Sequence, residues 1–231
     1  SRIDRSSTTL TISDLFVIAE QLGFVWKLEK LCRNKALKAA VEKPENVKLF
    51  LNVDGNIIQD KAFIQGFTNR KAIKAGVPAS DIVFEITERS DIENYQILQQ
   101  IMKHYADQGY EIALDDVGAG HSGLNRVVNT TPDYLKADIE LVRDIHKYKK
   151  KEIMMKLLLD YCNATGAILI AEGIETVQEL ECLHSLGVHY GQGFFLGKLE
   201  RAFGNISAES EEILERLNGR KNILFLDISG K

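Results

Sequence analysis

Three strand-like stretches of this chain each end in acid: Ile82 to Glu88 (IVFEITE), Ile112 to Asp116 (IALDD) and Ala167 to Glu175 (AILIAEGIE). Their Ile, Val, Leu and Phe content is typical of strands that are buried on both faces of a parallel sheet. Carboxylates at the C-terminal ends of such strands emerge where α/β folds open their ligand sites. Because clustered carboxylates repel one another unless they are protonated or bridged by cations, the pattern predicts a site for hard divalent metal ions.

The composition is that of one folded domain. With 231 residues, 45% of them hydrophobic and 27% charged, the chain can bury a sizeable core, and α/β barrels commonly reach this length. We therefore expect a single domain over residues 1–231.

The sequence has no apolar run that approaches a membrane span, and its first ten residues lack the apolar core of a secretory signal. This favours a cytoplasmic domain, which a longer protein could still tether to a membrane.

Charge and cysteine content argue against other classes. The formal net charge is −4, whereas general nucleic-acid binding needs a basic surface. A small phosphate ligand held through metal ions remains compatible with this charge. Cys32, Cys162 and Cys182 are widely spaced and form no CxxC pair, which favours buried thiols over a disulfide framework or a zinc site.

Strand and helix patterns alternate along the chain. Strands are predicted at residues 48–53, 82–87, 112–116, 134–136, 167–171 and 190–196, with helical patterns between them. Such units form a parallel sheet that is either open and doubly wound or closed as a barrel. Because polar residues follow the ends of several strands rather than one switch point, we predict an α/β fold of the (β/α)8 barrel type. The chain opens on a helix, so a first strand is expected upstream of Ser1.

The end of the chain has no evident role in this barrel. Residues 207–217 have a helical pattern and residues 223–228 a strand-like one. We therefore treat residues 207–231 as a C-terminal extension.

Five segments carry a family resemblance when they are taken together and in order: EITE, DDVGAGHSGL, DYLKAD, AEGIET and YGQGFFLGK. The chain resembles the EAL-domain family of cyclic di-GMP phosphodiesterases from Arg2 to about Lys198. The resemblance implies a modified TIM-type barrel. It also implies hydrolysis of cyclic di-GMP to the linear dinucleotide pGpG with Mg²⁺ or Mn²⁺, which is chemistry that two metal ions about 3.5–4 Å apart support well.

The resemblance also assigns roles to individual residues. The implied metal ligands are Asn52, Glu85, Asp115, Asp116 and Glu172, with Asp115 bridging two ions. Lys136 would be the catalytic lysine, acting with Asp116 and Glu172. The residues implied to contact the substrate or to support those that do are Arg2, Gln192 and Glu175. The partners compatible with the resemblance are cyclic di-GMP itself, a second copy of the chain in a homodimer, and upstream sensor or regulatory domains.

The sequence departs from the family pattern in three places. The Glu-Ala-Leu signature is absent, and Ser1-Arg2 resembles the two residues that follow it, so we expect the signature directly before Ser1. Without its glutamate, metal binding and activity are expected to be weaker. The loop after the aspartates reads DVGAGHSGL instead of DFGTGYSSL, and Leu199 replaces a usual proline. The loop changes keep the glycines and both aspartates.

Several simpler interpretations compete with the metal site. Asp115 and Asp116 could form a turn and cap a helix, Lys136 could be a solvated strand end, and Asn52 could start a turn. Glu175 could serve only as a charge near the N-terminus of a helix. Two other functions also stay open: a receptor that binds cyclic di-GMP without cleaving it, and a barrel enzyme that stabilises an enolate with one Mg²⁺ and Lys136 as the base.

One motif points to a different ligand. Residues 118–123 read GAGHSG and fit the G-x-G-x-x-G pattern of dinucleotide-cofactor sites. The two aspartates directly before the first glycine would repel a pyrophosphate, and the sequence places no strand-end acid about 20 residues further on. We therefore interpret the glycines as a loop next to the metal site.

Overall fold

The computed structural model describes residues 10–45, 47–55, 57–87, 95–118, 123–197 and 206–218. The chain divides into two compact units, and the boundary in the sequence lies between Tyr110 and Glu111. Three predicted features lie outside the described residues: Arg2, the glycine motif after Gly118, and the strand-like residues 223–228. The single domain over 1–231 and the extension at 207–231 remain predictions.

The described part of the N-terminal unit contains four α-helices and a pair of strands. The helices are α1 (Ile12–Gln21), α2 (Val25–Ala39), α3 (Phe67–Ala75) and α4 (Tyr95–Ala106), and the strands are β1 (Leu49–Val53) and β2 (Ile82–Ile86). Short 3-10 helices cover Ala40–Glu42, Ile57–Gln59 and Ala79–Asp81. β1 and β2 run parallel, with Asn52 opposite Glu85.

Local sequence explains where α1 begins. Thr11 is its N-cap: the side chain accepts a hydrogen bond from Asp14 N–H, and the Asp14 carboxylate accepts one from Thr11 N–H. Ser13 is also a residue type that caps helices, and a helix pattern that starts after it would make it the N-cap, but in the structure it lies within the first turn of α1. Thr11 is favoured because Asp14, three residues later, completes the reciprocal pair of bonds.

The core of the N-terminal unit is aromatic around one buried ion pair. Phe84 of β2 packs on Tyr105 of α4 with ring centroids 3.9 Å apart, and all five residues of β2 are buried. The Arg33 guanidinium lies over the rings of Trp26 and Phe84 and pairs with Glu29 one turn away. The other Glu29 oxygen accepts a hydrogen bond from Asp54 N–H at 2.6 Å, which fixes the end of β1 against α2.

Among its described residues, the C-terminal unit has four parallel strands in the order β3-β4-β5-β6. They are β3 (Glu111–Val117), β4 (Tyr134–Ala137), β5 (Ile168–Glu172) and β6 (Tyr190–Gln192). The helices are α5 (Gly123–Val128), α6 (Ile139–Val142), α7 (Lys149–Thr165), α8 (Val177–Leu186) and α9 (Ala208–Asn218), with a 3-10 helix at Ile145–Lys147. Across the described residues of both units the alternation of strand and helix is that of an α/β protein.

Apolar side chains fill the space between these strands and helices. Leu114, Leu135 and Leu169 are fully or almost fully buried on consecutive strands, and Met155 and Leu180 are buried on the helices. β6 ends at Gln192, four residues earlier than predicted. The chain turns there because Gly193 packs directly against the backbone of Ile174.

Within the described ranges, no helix has the length and apolar character that crossing a bilayer requires.

Candidate metal centre

A bulge at the end of β3 places two aspartates side by side. Leu114 lies opposite Leu135 and Val117 lies opposite Ala137, so β3 carries one residue more than β4 over this stretch. Asp116 has a φ of 57°, in the left-handed region that Asp and Asn tolerate better than most residues. In a regular strand, adjacent side chains point to opposite faces. The bulge changes this alternation, and carboxylate oxygens of Asp115, Asp116 and Glu172 lie within 4.8 Å of one another.

Lys136 of β4 lies buried between two of these carboxylates. Its ammonium is 2.8 Å from Asp115 Oδ1 and 2.5 Å from Glu172 Oε1. The side chain is only 1% exposed, which excludes a solvated strand end. A buried ammonium needs such partners, because removing a charge from water costs several kcal/mol per ion.

Glu172 and Gln192 lie at the ends of neighbouring strands. They are opposite each other in the β5–β6 register, and each is the last residue of its strand. Glu172 is buried, and Gln192 is half-buried. The Gln192 Oε1 atom is enclosed without a hydrogen-bond partner in the described part of the chain. Since buried polar atoms are normally satisfied, this oxygen can accept a hydrogen bond from a ligand.

The donor set fits a divalent metal ion. Three carboxylates and one ammonium carry a formal charge of −2 in a largely buried position, and their oxygens converge. Mg²⁺, Mn²⁺ and Ca²⁺ all bind carboxylate oxygens of this kind. The residues that could hold an ion here are therefore Asp115, Asp116 and Glu172.

The other predicted residues belong to other segments of the sequence. In the N-terminal unit, Glu85 is buried in β2 and Asn52 is exposed in β1 as its register partner. Arg2 is outside the described residues. Glu175 is exposed three residues beyond Glu172, and its N–H donates to the Glu179 carboxylate at 2.9 Å. Asp115 and Asp116 lie within β3 and not at the first turn of a helix, so they do not form a helix cap.

The T-x-x-E spacing of Thr176 and Glu179 predicts a capping box, and the structure has one at the start of α8. It gave no sign that Glu179 also accepts a hydrogen bond from Asp144 N–H, 35 residues away in the chain, at 2.8 Å.

Comparison with known proteins identifies the family. The family model for the EAL domain matches residues 1–199, so the chain belongs to the EAL-domain family, as its motifs predicted. Relatives include the cyclic di-GMP phosphodiesterase PdeR of Escherichia coli K12, 28% identical over 80% of this chain. PdeA of Borreliella burgdorferi, also a cyclic di-GMP phosphodiesterase, is 25% identical over 85% of this chain. The chain spans 28% and 30% of the lengths of these two relatives.

Solved structures agree with the family assignment. A standalone EAL protein of Vibrio cholerae O395, in its c-di-GMP-bound form, has a TM-score of 0.72 and 26% identity over 80% of this chain and 78% of its own. The manganese and cyclic di-GMP complex of Klebsiella pneumoniae BlrP1 has a TM-score of 0.73 and 27% identity over 81% of this chain and 48% of its own. The likeness to these EAL domains confirms the predicted fold class, an α/β barrel of the TIM type.

Proposed function

We propose that this chain is a metal-dependent phosphodiesterase that hydrolyses cyclic di-GMP to linear pGpG. Relatives at 25–28% identity are named as cyclic di-GMP phosphodiesterases, and similar EAL structures hold the dinucleotide. The observation that carries the proposal is the cluster of Asp115, Asp116, Lys136 and Glu172, in which every side chain but that of Asp116 is buried. A protein that only bound the ligand would have little use for a buried cluster of converging acids around an ammonium.

The metal ions we propose are Mg²⁺ or Mn²⁺, in a two-metal site that includes Asp115, Asp116 and Glu172. When bound, such ions lower the pKa of water towards neutrality and offset the charge of the phosphate. Hydrolysis adds the water oxygen to phosphorus and breaks one phosphoester P–O bond, and the leaving oxygen takes up a proton. Asn52 and Glu85 are further ligands by resemblance to the family.

Lys136 would act on charge that develops during this reaction. Its ammonium is held by Asp115 and Glu172 and needs little reorganisation as the reaction proceeds. Negative charge grows on the phosphate oxygens in the transition state, and a fixed cation stabilises this charge more than it stabilises the ground state. Gln192 would contact the substrate through its unsatisfied oxygen, and Glu175 and Arg2 keep the substrate roles that the resemblance implies.

The wider setting of the domain also belongs to this proposal. A homodimer, upstream sensor or regulatory domains, and a cytoplasmic location are predictions from the sequence and the family resemblance. Exposed apolar pairs one helical turn apart, Leu124 and Val128 on α5 and Ile153 and Leu157 on α7, are compatible with a dimer contact.

The test is incubation with cyclic di-GMP and Mn²⁺, followed by chromatography of the products. We expect pGpG, no product in excess EDTA, and loss of turnover in Asp115→Asn with an unchanged circular dichroism spectrum. Asp160→Asn is the matched control, because Asp160 is an exposed carboxylate on α7 and its loss should leave turnover intact. Binding without cleavage would make the chain a receptor. The absence of both binding and cleavage would overturn the proposal.

A further inference from the structure

The loop between Glu172 and α8 is held by a buried carboxylate. One oxygen of Glu179 accepts hydrogen bonds from the N–H groups of Glu175 at 2.9 Å and Thr176 at 3.0 Å. The other oxygen accepts one from Asp144 N–H at 2.8 Å. Glu179 is 3% exposed and therefore joins two separate segments of the chain from inside the protein.

The same loop is fixed on its other sides by close packing. Ile174 N–H donates to Gln192 O at 3.0 Å, and Phe195 N–H donates to Ile174 O at 3.0 Å. A Cβ on Gly193 would lie 2.1 Å from Ile174 O, so only glycine allows this approach. The backbone between Glu172 and Thr176 thus has little freedom, and the side of the loop facing Asp144 depends on Glu179.

A capping role alone does not account for these contacts. The capping box needs the Thr176 side chain to accept from Glu179 N–H and the Glu179 carboxylate to accept from Thr176 N–H. The bond from Asp144 is additional and comes from a residue whose backbone is left-handed, with a φ of 57°. Glu179 therefore has one oxygen for the start of its own helix and one for a distant segment.

Charge supports the same interpretation. Burial by itself raises the pKa of the Glu179 carboxyl, but the backbone N–H groups of Asp144 and Glu175 outweigh this effect and the pKa lies below its ordinary value. The group is therefore an anion at neutral pH, which accepts hydrogen bonds more strongly than a neutral amide does.

We propose that Glu179 is a positioning residue for the metal centre, which fixes the loop after Glu172 to the Asp144 segment and thereby holds the Glu172 carboxylate in the cluster. The inference rests on the proposed function, because that function assigns metal ions to the carboxylate cluster. Residues that orient a metal ligand without contacting the ion themselves typically contribute about 10–100-fold to metal affinity.

The experiment compares Glu179→Gln with Thr176→Ala. Glutamine has a single oxygen, so it can accept from Asp144 or from the loop but not from both. Thr176→Ala removes the bond to Glu179 N–H and leaves the bonds to the Glu179 carboxylate in place. Each variant should lower Tm by roughly 2–4 °C, the shift that a lost cap of about 1 kcal/mol gives in a domain of this size.

The two variants should differ in metal binding. By calorimetry without substrate, Glu179→Gln should raise the Mn²⁺ Kd about 10–100-fold, and Thr176→Ala should leave it within about twofold. Equal weakening in both variants would mean that the loss of the cap, and not the loop contact, is responsible. An unchanged Kd in Glu179→Gln would reduce Glu179 to a capping residue.

Amide hydrogen exchange separates this inference from the proposed function. At least one of the Asp144 and Glu175 amides should exchange faster in Glu179→Gln, and both should exchange at the wild-type rate in Thr176→Ala, with or without metal. Unchanged protection in Glu179→Gln would overturn the inference even if the wild type cleaves cyclic di-GMP. If Glu179→Gln shows faster exchange and weaker Mn²⁺ binding but the wild type cleaves no cyclic di-GMP, the inference stands and the proposed function fails.

Discussion

The Lys136 ammonium and the Asp115 carboxylate are 2.8 Å apart, and each side chain is almost wholly enclosed by the protein. This ion pair has two consequences. It satisfies charges that would otherwise be buried alone, and it places a cation where a metal ligand must also bind its ion. The lysine therefore stabilises the metal-free cluster and competes with the metal for the same oxygens.

Replacing Lys136 by methionine should separate these effects. Methionine keeps most of the volume but leaves the carboxylates uncompensated, so in EDTA the free energy of unfolding should fall by about 3–5 kcal/mol. With Mn²⁺ present, much of this loss should be recovered, because the ion replaces the missing positive charge. Urea denaturation with and without Mn²⁺ measures both values. An equal loss in the two conditions would mean that packing, not charge, explains the role of Lys136.

The same variant should lose turnover more than binding. Removal of an electrostatic group that acts in the transition state typically costs about 10²–10⁴-fold in kcat. Single-turnover rates at saturating cyclic di-GMP should fall by this factor while the substrate Kd changes little. Lys156→Met, which breaks an exposed pair with Asp160, is the control and should change neither. Lost binding with normal saturated rates would instead make Lys136 a phosphate anchor.

Asp116 combines a functional carboxylate with an unusual backbone, and two substitutions can separate them. Asparagine tolerates the left-handed conformation, so Asp116→Asn should keep the stability in EDTA or raise it slightly by removing repulsion. Asp116→Ala should lose about 1–2 kcal/mol from the strained backbone. Both should bind Mn²⁺ more weakly in calorimetry. If asparagine destabilised the protein as much as alanine does, the carboxylate and not the backbone would determine the stability at this position.

His189 should make the C-terminal unit sensitive to mild acid. Its Nδ1 accepts a hydrogen bond from Leu169 N–H at 3.0 Å, so the ring is neutral and its Nε2–H points to Asn163 Oδ1 at 3.2 Å. Burial lowers the pKa of His189 from its ordinary 6.5. Its stabilising contribution is therefore complete above about pH 6.5 and is lost as the pH falls through the lowered folded pKa.

The measurement is Tm between pH 7.5 and 5. His189→Asn keeps an acceptor but cannot titrate, so its Tm should fall less steeply with decreasing pH than that of the wild type. His184→Asn on α8 serves as the comparison for replacing a histidine by asparagine. Parallel curves for all three proteins would show that His189 does not control the acid sensitivity.

Gly193 and Gly166 should respond differently to alanine. Gly166 has open space around its Cβ position but a φ of 80°, so its alanine variant should lose about 1–2 kcal/mol and keep Mn²⁺ affinity. At Gly193 the new methyl group would meet the backbone of Ile174 and displace the loop after Glu172. Gly193→Ala should therefore lose at least as much stability and also bind Mn²⁺ more weakly. Unaltered metal affinity in Gly193→Ala would show that the loop can shift without moving Glu172.

The sequence predicted which strands bear the charged residues, because apolar runs that end in acid leave few other arrangements. Asp115, Lys136 and Glu172 lie at the predicted strand ends and meet one another. The bulge was not predictable, since an adjacent pair of aspartates is equally compatible with a regular strand. Its left-handed residue depends on the pairing of β3 with β4, which no local pattern encodes.

Other differences between the predicted and the observed structure also arise from contacts between residues that are distant in sequence. The early end of β6 follows from the contact between Gly193 and Ile174, two residues that are distant in sequence. The Glu179 hydrogen bond to Asp144 likewise depends on how α8 lies against the segment after α6. A capping pattern describes only one helix, so it correctly predicted the start of α8 but not this second partner.

The extra residue in β3 also determines how this protein could change by the loss of one codon. Three steps along β3, from Leu114 to Val117, match two steps along β4, so deletion of either aspartate would restore an unbroken ladder with a single carboxylate. Such a shortened chain should still fold, because both flanking pairs keep their partners. A metal centre built on a bulge can therefore be removed in a single mutational step, leaving a folded domain with an altered site for later selection to act on.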